Sequence, residues 1–157
     1  MSKEHTYRLN LKWTGNLGTG TGTYRGYTRD HIISAEGKPG ILASSDPSFR
    51  GNPERYNPEE MLLASVASCH MLSYLHLCAV HHIVVVEYSD NPIGKMVESI
   101  DGSGKFEEIM LNPVIVITEK AMLERAHELH HNANKLCFIA NSLNFPVKHT
   151  PLITTLN

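Results

Sequence analysis

Three cysteines and a histidine-rich segment are the residues of this chain best suited to chemistry. The cysteines are Cys69, Cys78 and Cys137, and the segment H-E-L-H-H runs from His127 to His131. A cysteine thiolate is a nucleophile, whereas two histidines one helical turn apart can share a zinc ion. The sequence therefore offers two kinds of chemistry, one based on sulfur and one based on a metal.

The metal hypothesis depends on H-E-x-x-H, in which His127 and His131 would bind zinc and Glu128 would act as the base. A catalytic zinc needs a third protein ligand, and no Asp or Glu follows His131, so a downstream glutamate ligand is excluded. In the longer pattern H-E-x-x-H-x-x-G-x-x-H, Asn134 replaces the glycine and Cys137 replaces the last histidine. A thiolate ligand there would donate charge to the zinc and weaken it as a Lewis acid. We therefore favour the interpretation that the three histidines of this segment lie on a solvated helix face.

The cysteines differ in their surroundings. Cys69 lies in L-A-S-V-A-S-C-H-M-L, within a predicted helix, and Cys137 lies in a second apolar helical stretch, K-L-C-F-I-A-N-S-L. A buried thiol is by default an inert small hydrophobic group, and Cys78, among Leu, Ala and Val, fits that interpretation. If the two helices cross in the core, Cys69 and Cys137 can meet, although a disulfide needs Cβ atoms within about 4.5 Å. An odd, sparse set of cysteines argues against a structural disulfide framework and leaves room for reactive thiols.

The composition limits the class of protein. A chain of 157 residues with 41% hydrophobic and 19% charged residues is typical of one globular domain, which we expect to cover residues 1–157. The net charge of -2 gives no basic field, so neither nucleic acid nor an anionic membrane is expected as a partner. The start, M-S-K-E-H-T-Y-R-L-N, lacks the apolar region of a secretory signal, so we expect a cytoplasmic protein.

A long helix is predicted to carry Cys69. Asn57 can cap its start, Pro58 suits its first position and Glu60 completes a capping box. Apolar residues then continue on all sides to about Val80. Before this helix, residues 6–14 and residues 23–36 alternate as strands do, and a loop rich in Pro, Asn and Asp follows them. The strand over residues 6–14 is expected to be half-buried.

The uncharged segment from Met61 to Val86 is long enough to span a bilayer. Few of its residues are the Leu, Ile, Val or Phe that favour insertion, and small residues on all sides suit a close-packed core. Four histidines also lie in it, and we interpret them as ordinary helix residues: His70, His76, His81 and His82. We therefore predict a buried core helix and no membrane association.

The second half of the chain alternates between strand and helix patterns. Residues 83–100 and residues 105–118 are β-rich runs around the turn D-G-S-G. Residues 119–133 are predicted to form an amphipathic helix, residues 134–143 a shorter helical stretch and residues 145–156 a closing strand. The order of strands, central helix, strands, helices and strand predicts one α+β domain.

The residues around two of the cysteines match motifs of a known family. N-P-E-E-M-L-L-A-S-V-A-S-C-H-M-L, residues 57–72, resembles the first motif of the OsmC/Ohr superfamily, the osmotically induced and organic hydroperoxide resistance proteins. A-N-K-L-C-F-I-A-N-S-L-N-F-P-V, residues 133–147, is similar to its second cysteine motif. With the strands before and between the motifs, the resemblance covers nearly the whole chain. The second motif differs at one position, because many members have Pro directly after the cysteine and this chain has Phe138.

The resemblance implies a fold, an assembly and an activity. The fold is α+β, with antiparallel sheets around a buried central helix, and two chains intertwine as a homodimer with two active sites near the interface. The activity is a cysteine-based reduction of organic hydroperoxides that uses no metal, flavin or other cofactor. By position, Cys69 would be the peroxidatic thiol and Cys137 the resolving thiol. An external dithiol would reduce the resulting disulfide, and in related enzymes lipoyl groups do so.

The resemblance also implies charged residues beside the peroxidatic thiol. Glu59 matches the glutamate that orients an arginine. Arg50, nine residues before Glu59, is close to the pattern of the OsmC branch, and Arg29 resembles the arginine of the Ohr branch. We prefer Arg50, and each of the two arginines has an alternative interpretation as an ordinary solvated residue. A guanidinium would stabilise the thiolate that attacks the O–O bond, because it stays charged when desolvated.

A thiol peroxidase is therefore the leading hypothesis for this sequence. The first alternative is a zinc-dependent hydrolase that uses the H-E-L-H-H segment. The second alternative is a non-catalytic dimeric binding protein of the same fold. His70 directly follows Cys69 but lies about 100° from it around a helix, so we do not assign it as a base.

Overall fold

The computed structural model describes residues 3–156. These residues belong to two compact units, one that runs to Met61 and one that begins at Leu62. Runs of strands are separated by helices along these residues, and the predicted α+β class is confirmed. The prediction of a single domain over residues 1–157 stays a prediction.

The unit before Leu62 contains a three-stranded antiparallel sheet. Its strands, in spatial order, are β1 (Asn10–Trp13), β2 (His31–Ser34) and β3 (Ile41–Ala43). The predicted strand over residues 6–14 is therefore present but shorter. Its apolar side chains are exposed rather than half-buried, and Leu11 is 64% exposed. The irregular loop after β3 contains one turn of 3-10 helix at Pro47–Phe49.

Helix α1 runs from Pro58 to Val80 and begins as the sequence predicts. The Asn57 side chain accepts a hydrogen bond from the Glu60 backbone N–H at 2.8 Å. The Glu60 carboxylate in turn accepts one from the Asn57 backbone N–H at 3.1 Å. This reciprocal capping box satisfies N–H groups that have no partner within a helix. Pro58, which lacks an N–H, occupies the first helical position.

Six strands of the unit after Met61 form two three-stranded sheets. The first sheet has the order β4 (Val85–Asp90), β7 (Pro113–Ile117), β9 (Leu152–Thr155), and the second has the order β5 (Ile93–Glu98), β6 (Gly104–Leu111), β8 (Val147–His149). The β4–β7 and β5–β6 pairs are antiparallel, whereas β9 and β8 join their sheets in the parallel direction. The segment predicted as one closing strand is interrupted at Pro151, which has no N–H for a strand ladder. Each sheet therefore combines antiparallel and parallel pairs, and each receives one strand from this segment.

Two helices connect β7 to β8. Helix α2 is Leu123–Leu136, preceded by a 3-10 turn at Lys120–Met122, and helix α3 is Phe138–Asn141. Parallel strands need a long crossover between them, and these helices provide it. The same crossover carries Cys137, so the topology that completes the sheets also positions the second candidate thiol.

Two hydrophobic clusters form the core of this unit. The larger cluster includes Tyr74 of α1, Leu129 of α2 and Ile115 of β7. The smaller cluster includes Val66 of α1 and Ile109 of β6. Because each cluster includes residues of a different sheet, α1 contributes to the packing of both sheets.

Helix α1 buries one stripe of its surface within this chain. The buried residues recur every four positions and are Val66, His70, Tyr74 and Cys78. The other faces include exposed apolar residues, of which Leu72 is 63% and Val80 is 56% exposed. The prediction of a buried helix therefore holds for one stripe. Among residues 3–156, α1 also meets the length and hydropathy criteria for a membrane span, which core helices of soluble proteins meet as well.

Removal of the helix cap should destabilise the fold. We expect Asn57→Ala to lower the free energy of unfolding by about 1 kcal/mol, because the Glu60 N–H loses its acceptor. Asn57→Asp keeps an acceptor at the same place and is the matched control, which should unfold close to wild type. Urea unfolding followed by circular dichroism measures both variants, and equal midpoints for Asn57→Ala and wild type would contradict the role of the cap.

Candidate active site

Cys69 and Cys137, which are far apart in the sequence, are neighbours in the folded chain. Cys69 lies near the middle of α1 and is half-buried, whereas Cys137 is fully buried. The Cys69 side chain lies near enough to Cys137 to act on the pKa of its thiol, and both cysteines are free. The fold therefore brings together the two thiols to which the resemblance assigns a redox pairing.

Cys137 occupies the junction between α2 and α3. Its backbone is extended, with φ −71° and ψ 106°, so it ends α2 and caps α3 instead of lying inside a helical stretch as predicted. Its sulfur accepts a hydrogen bond from the Ala140 backbone N–H at 3.4 Å. Phe138 is the first residue of α3, a position that favours proline in other helices. The substitution of Phe for the family's proline thus falls where either residue can start a helix.

The environment of Cys137 opposes ionisation of its thiol. Burial, as the main cause, and the nearby Cys69 side chain raise the pKa of Cys137 to about 11, while the Ala140 N–H acts in the opposite direction. A thiol with this pKa is protonated at neutral pH and is a weak nucleophile. Cys137 is therefore held in the neutral form.

Cys78 also lies on α1, but it faces the larger core cluster. Burial raises the pKa of the Cys78 thiol, and the nearby Tyr74 side chain partly offsets this effect. Its burial agrees with the prediction that Cys78 is an inert core thiol.

The guanidinium of Arg29 is held by the segment that precedes β2. It lies over the rings of Tyr24 and Tyr27, 4.4 and 4.2 Å from their centroids. Two of its N–H groups donate to the backbone carbonyls of the same two tyrosines at 2.9 and 2.8 Å. Cation–π contact and hydrogen bonding together fix the direction of this charge.

Arg50 has a strained backbone. Its φ of 64° lies in the left-handed region, where it ends the 3-10 helix at Pro47–Phe49. Such strain in a residue other than glycine costs of order 1 kcal/mol and is common at functional sites. Arg29, Arg50 and Arg25 line one cleft of about 280 Å³. The two arginines singled out by the resemblance therefore face the same cleft in the unit before Leu62.

Glu59 lies in the first turn of α1, where the helix dipole favours its negative charge. One carboxylate oxygen, Oε2, is buried and has no hydrogen-bond partner among residues 3–156. A buried carboxylate oxygen without a partner is unfavourable, and a guanidinium is a suitable donor for it. This environment is compatible with the pairing of Glu59 and an arginine that the resemblance implies.

The H-E-L-H-H segment lacks the arrangement of a metal site. His127 and His131 are exposed on α2, and the Glu128 carboxylate forms an ion pair with Arg125 at 2.7 Å. Residues 3–156 contain no group of three or more His, Cys, Asp or Glu side chains that could hold a metal ion. The zinc-hydrolase alternative therefore lacks its ligand set in the part of the chain that the structure describes.

His130 is fully buried, which corrects the prediction that the histidines of this segment lie on a solvated face. Its Nδ1 is 3.0 Å from Nε2 of His70, which is also fully buried, and its ring stacks on Tyr74 with 3.8 Å between centroids. His130 lies four residues after Ala126 and three before Ala133, within the buried stripe of α2. Helical spacing was therefore a signal for this residue that the motif-based interpretation did not use.

A family model described as OsmC-like protein matches residues 51–151. This chain belongs to the OsmC-like protein family. The match includes Glu59, Cys69 and Cys137, whereas Arg29 and Arg50 lie before its first residue. No curated protein shows significant similarity to the sequence.

Several solved structures share the fold of this OsmC-like protein. An OsmC-like protein of unknown function from Vibrio cholerae gives a TM-score of 0.84 at 29% identity, over 95% of this chain and 100% of that chain. An organic hydroperoxide resistance protein from Elizabethkingia anophelis gives 0.68 at 15% identity, over 98% and 100%. An organic hydroperoxide resistance protein from Legionella pneumophila gives 0.67 at 16% identity, over 96% and 99%. The last two likenesses, at low identity, show a shared fold.

Mild oxidation should join the two neighbouring thiols of this OsmC-like protein. We expect diamide to form one intrachain disulfide between Cys69 and Cys137 and to leave Cys78 reduced, because the first two side chains are adjacent. Peptide mapping after alkylation identifies the bond. Cys78→Ser is the matched control and should form the same disulfide, whereas a bond that includes Cys78 would contradict the arrangement.

Proposed function

We propose that this OsmC-like protein is a thiol-dependent peroxidase that reduces organic hydroperoxides. The observation that carries the proposal is the proximity of the half-buried Cys69 to the fully buried Cys137. A peroxidatic thiol has to be reached by its substrate, whereas a resolving thiol has to be held beside it. The difference in burial between the two cysteines suits these two roles. The names of the two organic hydroperoxide resistance proteins that share the fold agree with the proposal.

In this proposal the reaction begins at Cys69. Its thiolate attacks one oxygen of the hydroperoxide, and the O–O bond breaks. The departing alkoxide takes up a proton and leaves as an alcohol. The sulfur loses two electrons and becomes a sulfenic acid, and the two electrons reduce the peroxide.

Cys137 completes the oxidative half of the cycle. Its sulfur attacks the Cys69 sulfenic acid and forms the disulfide, while its thiol proton leaves with the hydroxyl group as water. Because Cys137 has a pKa of about 11, it stays protonated at neutral pH and is preserved for this step. An external dithiol then supplies two electrons and two protons and restores both thiols.

The resemblance implies that an arginine supplies the positive charge that stabilises the Cys69 thiolate. Arg29 or Arg50 contributes the guanidinium, and Glu59 fixes its direction through a charge-assisted hydrogen bond. The preference for Arg50, which came from its spacing to Glu59, stays a prediction. The contacts of Arg29 with two tyrosines make it the more rigid of the two candidates.

The enzyme is proposed to act as a homodimer. Apolar side chains are exposed both on the segment around β1, as at Leu9 and Leu11, and on α1, as at Leu72. Exposed apolar residues of this number are favourable in an interface with a partner. The resemblance implies that this partner is a second copy of the chain.

Substitution of the peroxidatic thiol should abolish turnover. We expect Cys69→Ser to reduce the consumption of cumene hydroperoxide in the presence of dithiothreitol to the rate without protein. Cys78→Ser is the matched control and should keep the wild-type rate. If wild type is as inactive as Cys69→Ser, the alternative of a non-catalytic binding protein of the same fold replaces the enzyme.

Two matched substitutions should identify the arginine. We expect Arg50→Ala to lower kcat/KM for cumene hydroperoxide by about 100-fold, as is typical for the loss of a charged group that stabilises a transition state. Arg29→Ala should lower it by less than about fivefold if it is a structural residue. The reverse order would assign the role to Arg29, and the rate of Cys69 alkylation would report which variant has lost thiolate.

A further inference from the structure

The proposed mechanism leaves a buried polar cluster without a role. His70 and His130 are both fully buried and are joined by the 3.0 Å contact between His70 Nε2 and His130 Nδ1. The ring of His149, from β8, lies 5.5 and 5.9 Å from the rings of these two histidines. Fully buried imidazoles are uncommon and are expected to have a defined hydrogen-bond partner. The cluster is therefore a specific feature of the core.

The cluster lies at the contact between α1 and α2 that also brings the candidate thiols together. His70 directly follows Cys69 on α1, and His130 of α2 precedes Cys137, the residue directly after α2, by seven residues. Seven residues correspond to about two turns and about 10 Å along a helix. Helix α1 therefore contacts α2 at the imidazole pair and lies near the end of α2 at the thiol pair. Two separate contacts fix both the rotation and the displacement of one helix against the other, which one contact cannot do.

We propose that the His70–His130 pair is a positioning element for the Cys69–Cys137 pair, which holds the two thiols together while the imidazoles are neutral and releases them when the imidazoles are protonated. The proposal rests on the redox pairing of the two cysteines in the proposed function. His70 and His130 act on the reaction through helix position and are positioning residues.

The hydrogen bond between the rings requires a neutral partner. A bond between two ring nitrogens needs one nitrogen with a proton and one without. When both rings are imidazolium, two N–H groups face each other and the bond is lost. The outer nitrogens, His70 Nδ1 and His130 Nε2, are buried and have no hydrogen-bond partner within residues 3–156. A proton added there is therefore not compensated by an acceptor.

The groups around the pair do not favour an added charge. From β8, His149 acts on both rings, and from α2, His127 acts on His130. His131 acts on His149 in the same unfavourable sense. On the α1 and β4 side, His130 stacks on Tyr74, whose other neighbour is Tyr88, and Asp90 acts on Tyr88. Within residues 3–156, the ionisable neighbours that lower the pKa of the imidazole pair are thus other histidines.

The sign of the pH dependence follows from these surroundings. Burial, as the main cause, and neighbouring histidines lower the pKa of His70 to about 4 and that of His130 to about 3. An imidazole free of this packing has a pKa of about 6.5. Separated helices therefore take up protons below about pH 6.5, whereas the packed pair does not until about pH 4. The contact between the two imidazoles is therefore fully stable above about pH 6.5 and weakens as the pH falls from there towards about pH 4.

Thiol–disulfide exchange with dithiothreitol tests the proposal without a hydroperoxide. Oxidised dithiothreitol accepts two electrons and two protons from Cys69 and Cys137, which become a disulfide. The exchange releases no net proton, so its equilibrium constant is independent of pH below the thiol pKa values unless another group is linked. The disulfide holds the helices together, so by reciprocity protonation opposes it. In Cys78→Ser protein we expect the equilibrium constant for disulfide formation to be about tenfold lower at about pH 5 than at neutral pH. A tenfold change corresponds to about one pKa unit of coupling between protonation and the disulfide.

A paired substitution separates positioning from mere packing. Gln at 70 and Asn at 130 place an amide where Nε2 and Nδ1 meet, so His70→Gln with His130→Asn can restore the hydrogen bond without a titrating group. We expect this double variant to keep the wild-type constant at neutral pH and to lose its fall at about pH 5. His130→Leu leaves His70 without a partner, and it should lower the constant about tenfold at neutral pH.

Two results would overturn the proposal. The first is an equilibrium constant in the Cys78→Ser protein that is the same at neutral pH and at about pH 5, a result that does not depend on whether the histidine variants fold. The second is a double variant that folds and keeps the wild-type fall with acid, because other groups would then cause it. A protein that fails to consume hydroperoxide but shows the expected exchange disproves the peroxidase and leaves the positioning role. An active peroxidase with a pH-independent constant does the reverse.

Discussion

The packing of α1 against α2 is the contact on which the candidate site depends. Each helix presents a buried stripe, in which α1 repeats every four residues from Val66 and α2 includes Ala126, His130 and Ala133. The thiol contact lies at the end of α2, and the imidazole contact lies within it. Cys69 and Cys137 are thus neighbours because two helices have one preferred arrangement, and neither cysteine is positioned by its local sequence alone.

The sheets make this arrangement of helices possible. Helix α1 packs into one hydrophobic cluster with β7 and α2 and into a second cluster with β6. Two independent sets of apolar contacts therefore hold the helix that carries Cys69. Burial of this kind dominates the free energy of folding, whereas the polar contacts between the helices mainly select one arrangement among those that bury similar area. A site built in this way is sensitive to changes in the core that never touch a thiol.

Structural features that depend only on neighbouring residues were the ones predicted most reliably from the sequence. The start of α1 followed from Asn57, Pro58 and Glu60, because a capping box is completed within four residues. The pairing of Cys69 with Cys137 could be suggested only by resemblance, since a contact between helices depends on the packing of the whole core. The same limit applies to the burial of β1. The alternation of apolar and polar residues was recognised in the sequence, but such a pattern does not show which surface covers the apolar face.

Two features were misjudged because a local pattern competed with a distant one. His130 lies in the H-E-L-H-H segment, which was interpreted as a solvated helix face, yet it is fully buried against His70, sixty residues earlier in the chain. Cys137 lies in an apolar run that resembles one helix, yet the chain is extended at this residue and two helices meet there. In both cases the correct assignment required knowledge of the facing element.

The division of the last strand region has a consequence for the order of folding. Strands β8 and β9 pair with β6 and β7 at residues about 40 positions away in the sequence, and each completes a different sheet. Such distant pairings lose more chain entropy before they gain contacts, so this topology belongs to the slowly folding class. Until both pairings form, β6 and β7 expose free backbone edges that can pair with strands of other molecules. Aggregation of newly made chains is therefore the characteristic hazard of this architecture.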